Sequence, residues 1–181
     1  MKYIIPLPAL LPSTLVSLRK IFESTTQIKN FHMPDRIKIT NHFIDSYDDF
    51  KFIVENIIIP VGIDPNDIKD TWNEIDPEYN NKYGINFNVC AAGDFIGPHC
   101  DKTPTKLNIL ISEKVTTSIK FTGHENSETW DWRTPALIDV SKKHFVDPLP
   151  LNATCPRITM QIFINKPFDY YKDIINTSPD W

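Results

Sequence analysis

From Gly84 onward, the apolar residues of this chain come in short runs closed by turn residues. Runs of that length suit strands packed into a β core and are too short for ordinary helices. The clearest is 157–164, where Ile158, Met160, Ile162 and Ile164 alternate with Arg157, Thr159, Gln161 and Phe163. One face of such a strand is wholly aliphatic, and the other mixes charge, polarity and one aromatic ring. Shorter stretches of the same texture lie at 85–90, 106–112, 118–122 and 136–140, with Leu107, Ile109 and Ile111 sharing one face. Residues 91–94 and 141–143 read as turns, and 123–134 as a long polar loop carrying Trp130 and Trp132.

The first half has a different texture. Leu15, Leu18, Ile21 and Phe22 recur at helical spacing, which predicts a helix over 13–28 with Ser13 as its N-cap. Residues 36–40 alternate as a short strand. A second helix is expected at 46–58, with Asp48 and Asp49 in the first turn, where the helix dipole favours acids. A third, shorter helix is expected at 64–72, followed by a loop at 76–83. Helices first and strands later predict an α+β fold: a jelly-roll core of about eight short strands, with the N-terminal helices packed on one sheet. A chain of 181 residues suits one domain, 1–181, in which 1–83 supports a β core at 84–166.

Charge and cysteine usage exclude several classes. A net charge of -4 gives no global attraction to nucleic acid and leaves open only a local basic groove. Cys90, Cys100 and Cys155 are scattered, with no CxxC spacing, which fits reduced thiols in a cytoplasmic protein, or the host cytoplasm for a viral one. Residues 3–11 are apolar and imitate a signal peptide, but Pro6, Pro8 and Pro12 interrupt them and no small-x-small cleavage site follows. No run reaches the roughly 18 apolar residues of a membrane span.

Three polar segments carry the chemistry: His99-Cys100-Asp101, His144, and Arg157-Ile158-Thr159. On extended backbone, residues two apart point to the same side, so His99 and Asp101 can meet one ion. His144 follows a strand and a turn and can approach from a neighbouring strand. Two imidazoles and a hard carboxylate form the ligand set of non-haem Fe(II) oxygenases and leave coordination positions open. Zinc is the competing metal. An isolated HxD triplet arises by chance, and a lone His144 reads as a surface turn residue. Arg157 strengthens the pattern, because an arginine facing a β core is costly unless an anion pairs with it. A dicarboxylate co-substrate supplies that anion, with the Thr159 hydroxyl as a second donor. The alternative is a salt bridge from Arg157 to an internal acid such as Asp139. His124 reads as a solvated loop residue, and His32 and His42 as structural. Trp130 and Trp132 either line a substrate mouth or pin their loop to the core.

The stretch Asn88-Val89-Cys90-Ala91-Ala92-Gly93-Asp94, followed by Pro98-His99-Cys100-Asp101, resembles the 2-oxoglutarate- and Fe(II)-dependent oxygenases. So do Leu137-Ile138-Asp139-Val140, His144-Phe145-Val146 and the strand that opens at Arg157. The branch is similar to the prolyl-hydroxylase-like members, including small phage-encoded ones, and the resemblance covers 85–164. It implies a double-stranded β-helix core, iron on His99, Asp101 and His144, and the distal carboxylate of 2-oxoglutarate on Arg157 and Thr159. Many relatives carry a tyrosine where this chain has Cys90; Asn108 or Asn88 stands as a substitute polar contact. The resulting expectation is a dioxygenase, most simply a hydroxylase, that uses Fe(II), 2-oxoglutarate and dioxygen on a protein side chain, a nucleobase or a metabolite. Two rivals are a non-catalytic jelly-roll structural or binding protein, such as a virion component with relic ligands, and a cupin-type metal enzyme that does not use 2-oxoglutarate.

Overall fold

A computed structural model of the chain describes residues 2–76, 78–113, 117–122 and 128–177. Strand β1 is Ile4–Pro6, helix α1 Pro12–Ser24, β2 Gln27–Met33, β3 Ile37–Phe43 and α2 Tyr47–Ile53. The core strands follow: β4 Ile85–Cys90, β5 Phe95–His99, β6 Thr105–Leu110, β7 Ile119–Phe121, β8 Thr129–Trp130, β9 Ala136–Asp139, β10 His144–Val146 and β11 Arg157–Ile164. Helix α3, Phe168–Thr177, closes the described chain.

All strand pairings are antiparallel. One sheet runs β1-β9-β6-β11-β4 and the other β5-β10-β7-β8. Strand β3 joins them, pairing with β4 through Thr40 to Phe43 and with β5 through Ile37 and Lys38. The eight strands from β4 to β11 thus form the two sheets of a jelly roll, as the strand pattern predicts.

The hydrophobic residues divide into two layers. Leu18 and Ile21 of α1 and Ile53 of α2 pack on Phe87, Leu107, Ile109, Met160 and Ile162, which form the outer face of the first sheet. Each such side chain contributes about 1.5–3 kcal/mol when fully buried. Between the sheets lie Ile39, Cys90, Ile96, Phe121, Trp130, Trp132, Ile138 and Val146. Strand β11 is covered on both faces: its aliphatic face meets the helices, and Arg157, Thr159, Gln161 and Phe163 turn toward the space between the sheets.

Four local expectations need correction. Helix α1 starts with Pro12 at its first position after Leu11, not with a Ser13 cap. Proline there sacrifices only an N–H that has no helical partner. The helix stops at Ser24, because Thr25 turns extended and bonds its hydroxyl to Phe22 O. Residues 27–33, read partly as helix, form β2 instead, paired along its length with β3. The signal was the Pro34-Asp35 turn, where Asp35 takes φ 61° and Arg36 N closes on Met33 O. The third helix is two short 3-10 turns, Pro65–Asp67 and Thr71–Glu74, capped by the Asp64 and Asp70 side chains. The loop at 123–134 contains β8, and residues 123–127 lie outside the described residues. The second helix does begin at Ser46, whose hydroxyl accepts from Asp49 N, and a π-helical turn at Val54–Ile58 completes it. Among the described residues, no helix is long and apolar enough to cross a membrane.

Gly97 of β5 packs against the backbone of Arg36, the residue before β3. Its N–H donates to Arg36 O, and a Cβ there would stand 2.7 Å from that same backbone oxygen. A backbone contact cannot swing away as a side chain can. Gly97→Ala should therefore destabilise the protein by about 1–3 kcal/mol. Chemical denaturation checks this; unchanged stability would show that β3 and β5 can separate freely.

Candidate metal centre

Strands β5 and β10 are neighbours, and His99 and His144 are direct partners across them. Opposite residues in an antiparallel pair project to the same side. The two ring centroids lie 4.3 Å apart. The pairing slips between His144/His99 and Val146/Ile96, so β5 carries one extra residue in the stretch that holds Gly97 and Pro98. A bulge of this kind bends a strand and re-aims the side chain beside it. Asp101 follows past the strand end, where its N–H donates to Val140 O at 2.8 Å.

The backbone sets the state of both rings. His99 Nδ1 lies 2.8 Å from Gly97 O, and His144 Nδ1 lies 2.8 Å from Lys142 O. A carbonyl can only accept, so each Nδ1 donates, and in the neutral ring Nε2 keeps the free lone pair. Asp101 Oδ1 is 3.7 Å from His99 Nε2, and Oδ2 is 3.6 Å from His144 Nε2. The ligating atoms of the three residues all lie within 4.8 Å of one another.

Burial holds His144 neutral: it lowers its pKa to about 4, against a smaller upward pull from Asp101. Burial alone would raise the Asp101 pKa, but the Lys106 ammonium, with smaller help from the two histidines, holds it below the ordinary carboxylate value. Lys106 Nζ is 3.0 Å from Asp101 Oδ2, yet Oδ2 has no well-directed hydrogen bond. The contact is a close ion pair. A buried carboxylate with one oxygen facing each imidazole fits a divalent cation.

Arg157 opens β11 and is almost fully buried, at 2% exposure. One guanidinium nitrogen donates to the Thr117 hydroxyl and the other to Cys90 Sγ at 2.8 Å. Its Cζ stands 5.8 Å from the centre of the Trp132 ring. Among the described residues Arg157 makes no ion pair. Asp139, the alternative partner, accepts from Ser141 N and Oγ instead. Burial pushes the Cys90 thiol up by more than Arg157 draws it down. Thr159 is buried two residues along the same face.

Asn108 belongs to a row of amides that crosses the floor of the barrel. In register, Asn86, Gln161 and Asn108 stand side by side on β4, β11 and β6, and Asn41, Asn88 and Thr159 form the next row. Asn86 Oδ1 and Asn108 Oδ1 are buried without hydrogen-bond partners. Sequence reasoning missed Asn41, Asn86 and Lys106. The alternation that puts Leu107 and Ile109 on the helix side puts Lys106 and Asn108 inside, and a lysine so placed needs an anion.

The remaining candidates stay apart from the centre. His42 bonds Thr25 Oγ1 through Nδ1 and packs on Phe22, and His32 is exposed on β2. His124 lies outside the described residues. Trp130 and Trp132 are buried between the sheets. Trp132 takes φ 65°, a rare conformation for a bulky residue, and its Nε1 donates to Thr117 O. Trp132 meets Arg157, and Phe121, next to β8, lies 5.8 Å from the His144 ring.

No family model matches the chain, and no curated protein matches its sequence. Among solved structures, it is similar to an oxidoreductase of the 2OG-Fe(II) oxygenase family from Burkholderia pseudomallei, with a TM-score of 0.61 and 10% identity over 90% of this chain and 85% of that one. It is also similar to a prolyl-4-hydroxylase from Pseudomonas putida, with a TM-score of 0.55 and 10% identity over 90% of this chain and 92% of that one. At this identity the likeness is one of fold: the chain has the jelly roll of those oxygenases.

His144 links the site to stability. Its imidazole titrates near 6.5 when unfolded and near 4 when folded. The unfolded chain therefore gains a proton first, and the metal-free protein should lose stability as pH falls from about 6.5 to about 4. The loss is on the order of 3 kcal/mol at most. The contribution of Asp101 is lost at lower pH, below the ordinary carboxylate value. Denaturation of parent and His144→Gln from pH 7 to 4 checks the assignment; an equal slope in both would place the proton uptake elsewhere.

Proposed function

We propose that this protein is an Fe(II)- and 2-oxoglutarate-dependent oxygenase, most simply a hydroxylase. The observation that carries the reading is the convergence of His99, Asp101 and His144, with both Nδ1 atoms bound to backbone carbonyls and both Nε2 atoms facing one carboxylate. These three residues would hold the iron. Three protein ligands leave room for a chelating co-substrate and for dioxygen. When bound, iron and 2-oxoglutarate supply the oxidising chemistry, in which the co-substrate is decarboxylated to succinate and carbon dioxide as the substrate takes up oxygen.

The chain's own residues orient and enclose. Arg157 would clamp the distal carboxylate of 2-oxoglutarate, with Thr159 as a second donor. Its burial without an ionic partner among the described residues supports that role, because an isolated interior guanidinium favours an anion. Trp132 would cover the guanidinium and exclude water from it, and Phe121 would shield His144 from water. The Asn108 amide, whose oxygen lacks a partner, is a further polar contact on the same floor. The prime substrate would be a protein side chain, a nucleobase or a small metabolite.

The test is anaerobic titration with Fe(II) and then 2-oxoglutarate, read by metal stoichiometry and by the weak visible charge-transfer band of the chelate. One iron per chain is expected in the parent, with loss in His99→Ala and in His144→Ala. Unchanged stoichiometry in both variants would remove these residues from the centre. Arg157→Ala should keep its iron but bind 2-oxoglutarate more weakly by about 2–5 kcal/mol, the cost of losing a buried charge-assisted contact. Equal co-substrate affinity in variant and parent would make Arg157 a structural residue.

A further inference from the structure

Lys106 is the strongest feature of the centre that the reading above leaves unused. It lies on β6, between β9 and β11, in register with Ile138 and Phe163. Only 7% of it is exposed. Its ammonium sits 4.4 Å over the centre of the Phe163 ring and 3.0 Å from Asp101 Oδ2. Backbone pairing on both sides holds its Cα, and the ring beneath it limits where its Nζ can go.

This placement is paradoxical for a metal site. An ammonium beside a metal-binding carboxylate repels the incoming dication and draws electron density from the ligand. Metal affinity alone therefore gives no reason to put it there. What an ammonium at this place can control is the orientation of the carboxylate. It engages Oδ2 and leaves Oδ1, 3.7 Å from His99 Nε2, as the oxygen without a cation. A carboxylate free to rotate can offer both oxygens to one ion and fill a coordination position.

We propose that Lys106 is the positioning residue of this centre: it holds Asp101 Oδ2, makes the carboxylate a one-oxygen ligand, and keeps a coordination position open for the chelating co-substrate. This rests on the metal- and 2-oxoglutarate-dependent reading above. In this role Lys106 acts through Asp101, its ion-pair partner. Its removal therefore separates two affinities that a general loosening would lower together.

The test uses Co(II), whose visible ligand-field absorption reports coordination, in the parent, Lys106→Met and Lys106→Arg, each then titrated with 2-oxoglutarate. Lys106→Met should bind Co(II) at least as tightly as the parent, show an altered ligand-field spectrum, and bind 2-oxoglutarate at least tenfold more weakly. Lys106→Arg, which retains the cation, should restore the parent spectrum and bring 2-oxoglutarate affinity to within about threefold. If Lys106→Met does not fold, Lys106→Gln fills similar space without charge, and the same split is expected. A neutral variant with the parent spectrum and parent 2-oxoglutarate affinity would overturn the proposal, as would Co(II) and 2-oxoglutarate affinity falling together. A parent that takes up no Co(II) would overturn the metal-dependent reading itself, and this proposal with it. Binding in the parent with no split in the variants overturns only the role of Lys106.

Discussion

A carboxylate enclosed between two β-sheets has lost most of its water, and that loss is costly unless positive charge or hydrogen-bond donors replace it. Asp101 is in this position. The Lys106 ammonium answers one oxygen, and two imidazoles stand within 4 Å of the pair. His144 does not complete the compensation, because burial keeps it neutral. The result is a pocket of donor atoms with lone pairs to spare. A divalent cation would satisfy all three at once, which makes the ligand trio a consequence of burial as much as of residue choice.

The precision of that pocket comes from the backbone. Gly97 lets β3 approach β5, and its carbonyl fixes the His99 ring. The carbonyl of Lys142, in the turn before β10, does the same for His144. The bulge between the two strands aims His99, and Val140 O anchors Asp101. Carbonyls at fixed places in a paired sheet hold a ring more tightly than a mobile side chain can, since they carry no rotamer freedom of their own.

The rest of the barrel floor is unusually polar for a protein interior. Two rows of amides and Thr159 run between Arg157 at one end and Lys106 at the other. Arg157, buried without an ionic partner among the described residues, is the cation on this floor that a carboxylate-bearing guest would meet. The outer face of the same sheet is mainly apolar, Phe87 included, and carries the helices. One sheet thus separates a layer that stabilises the fold from a layer that can bind, and the similarity to oxygenases at 10% identity preserves the architecture with little of the residue detail.

By itself, the sequence determined the strand-rich second half, the helical layer over one sheet, and the residue types of the centre. Period-two alternation in β11 and β6 is a local signal, and His99 and Asp101 are close enough along the chain for extended backbone to align them. Segments whose structure depends on a distant partner were less legible. Strand β2 carries no clean alternation and exists because β3 pairs along its length. The stretch at 64–72, expected as a short helix, folds as two short turns, and between them Lys69 donates its N–H to Phe163 O. The neighbours of Arg157 were beyond sequence reach as well: Thr117, Cys90 and Trp132 come from three separated segments. Only the tertiary structure could decide the Lys106 pairing, because a lysine in a strand reads as solvated until both flanking strands cover it. Closure of the two sheets turns that ordinary surface residue into a buried partner for Asp101.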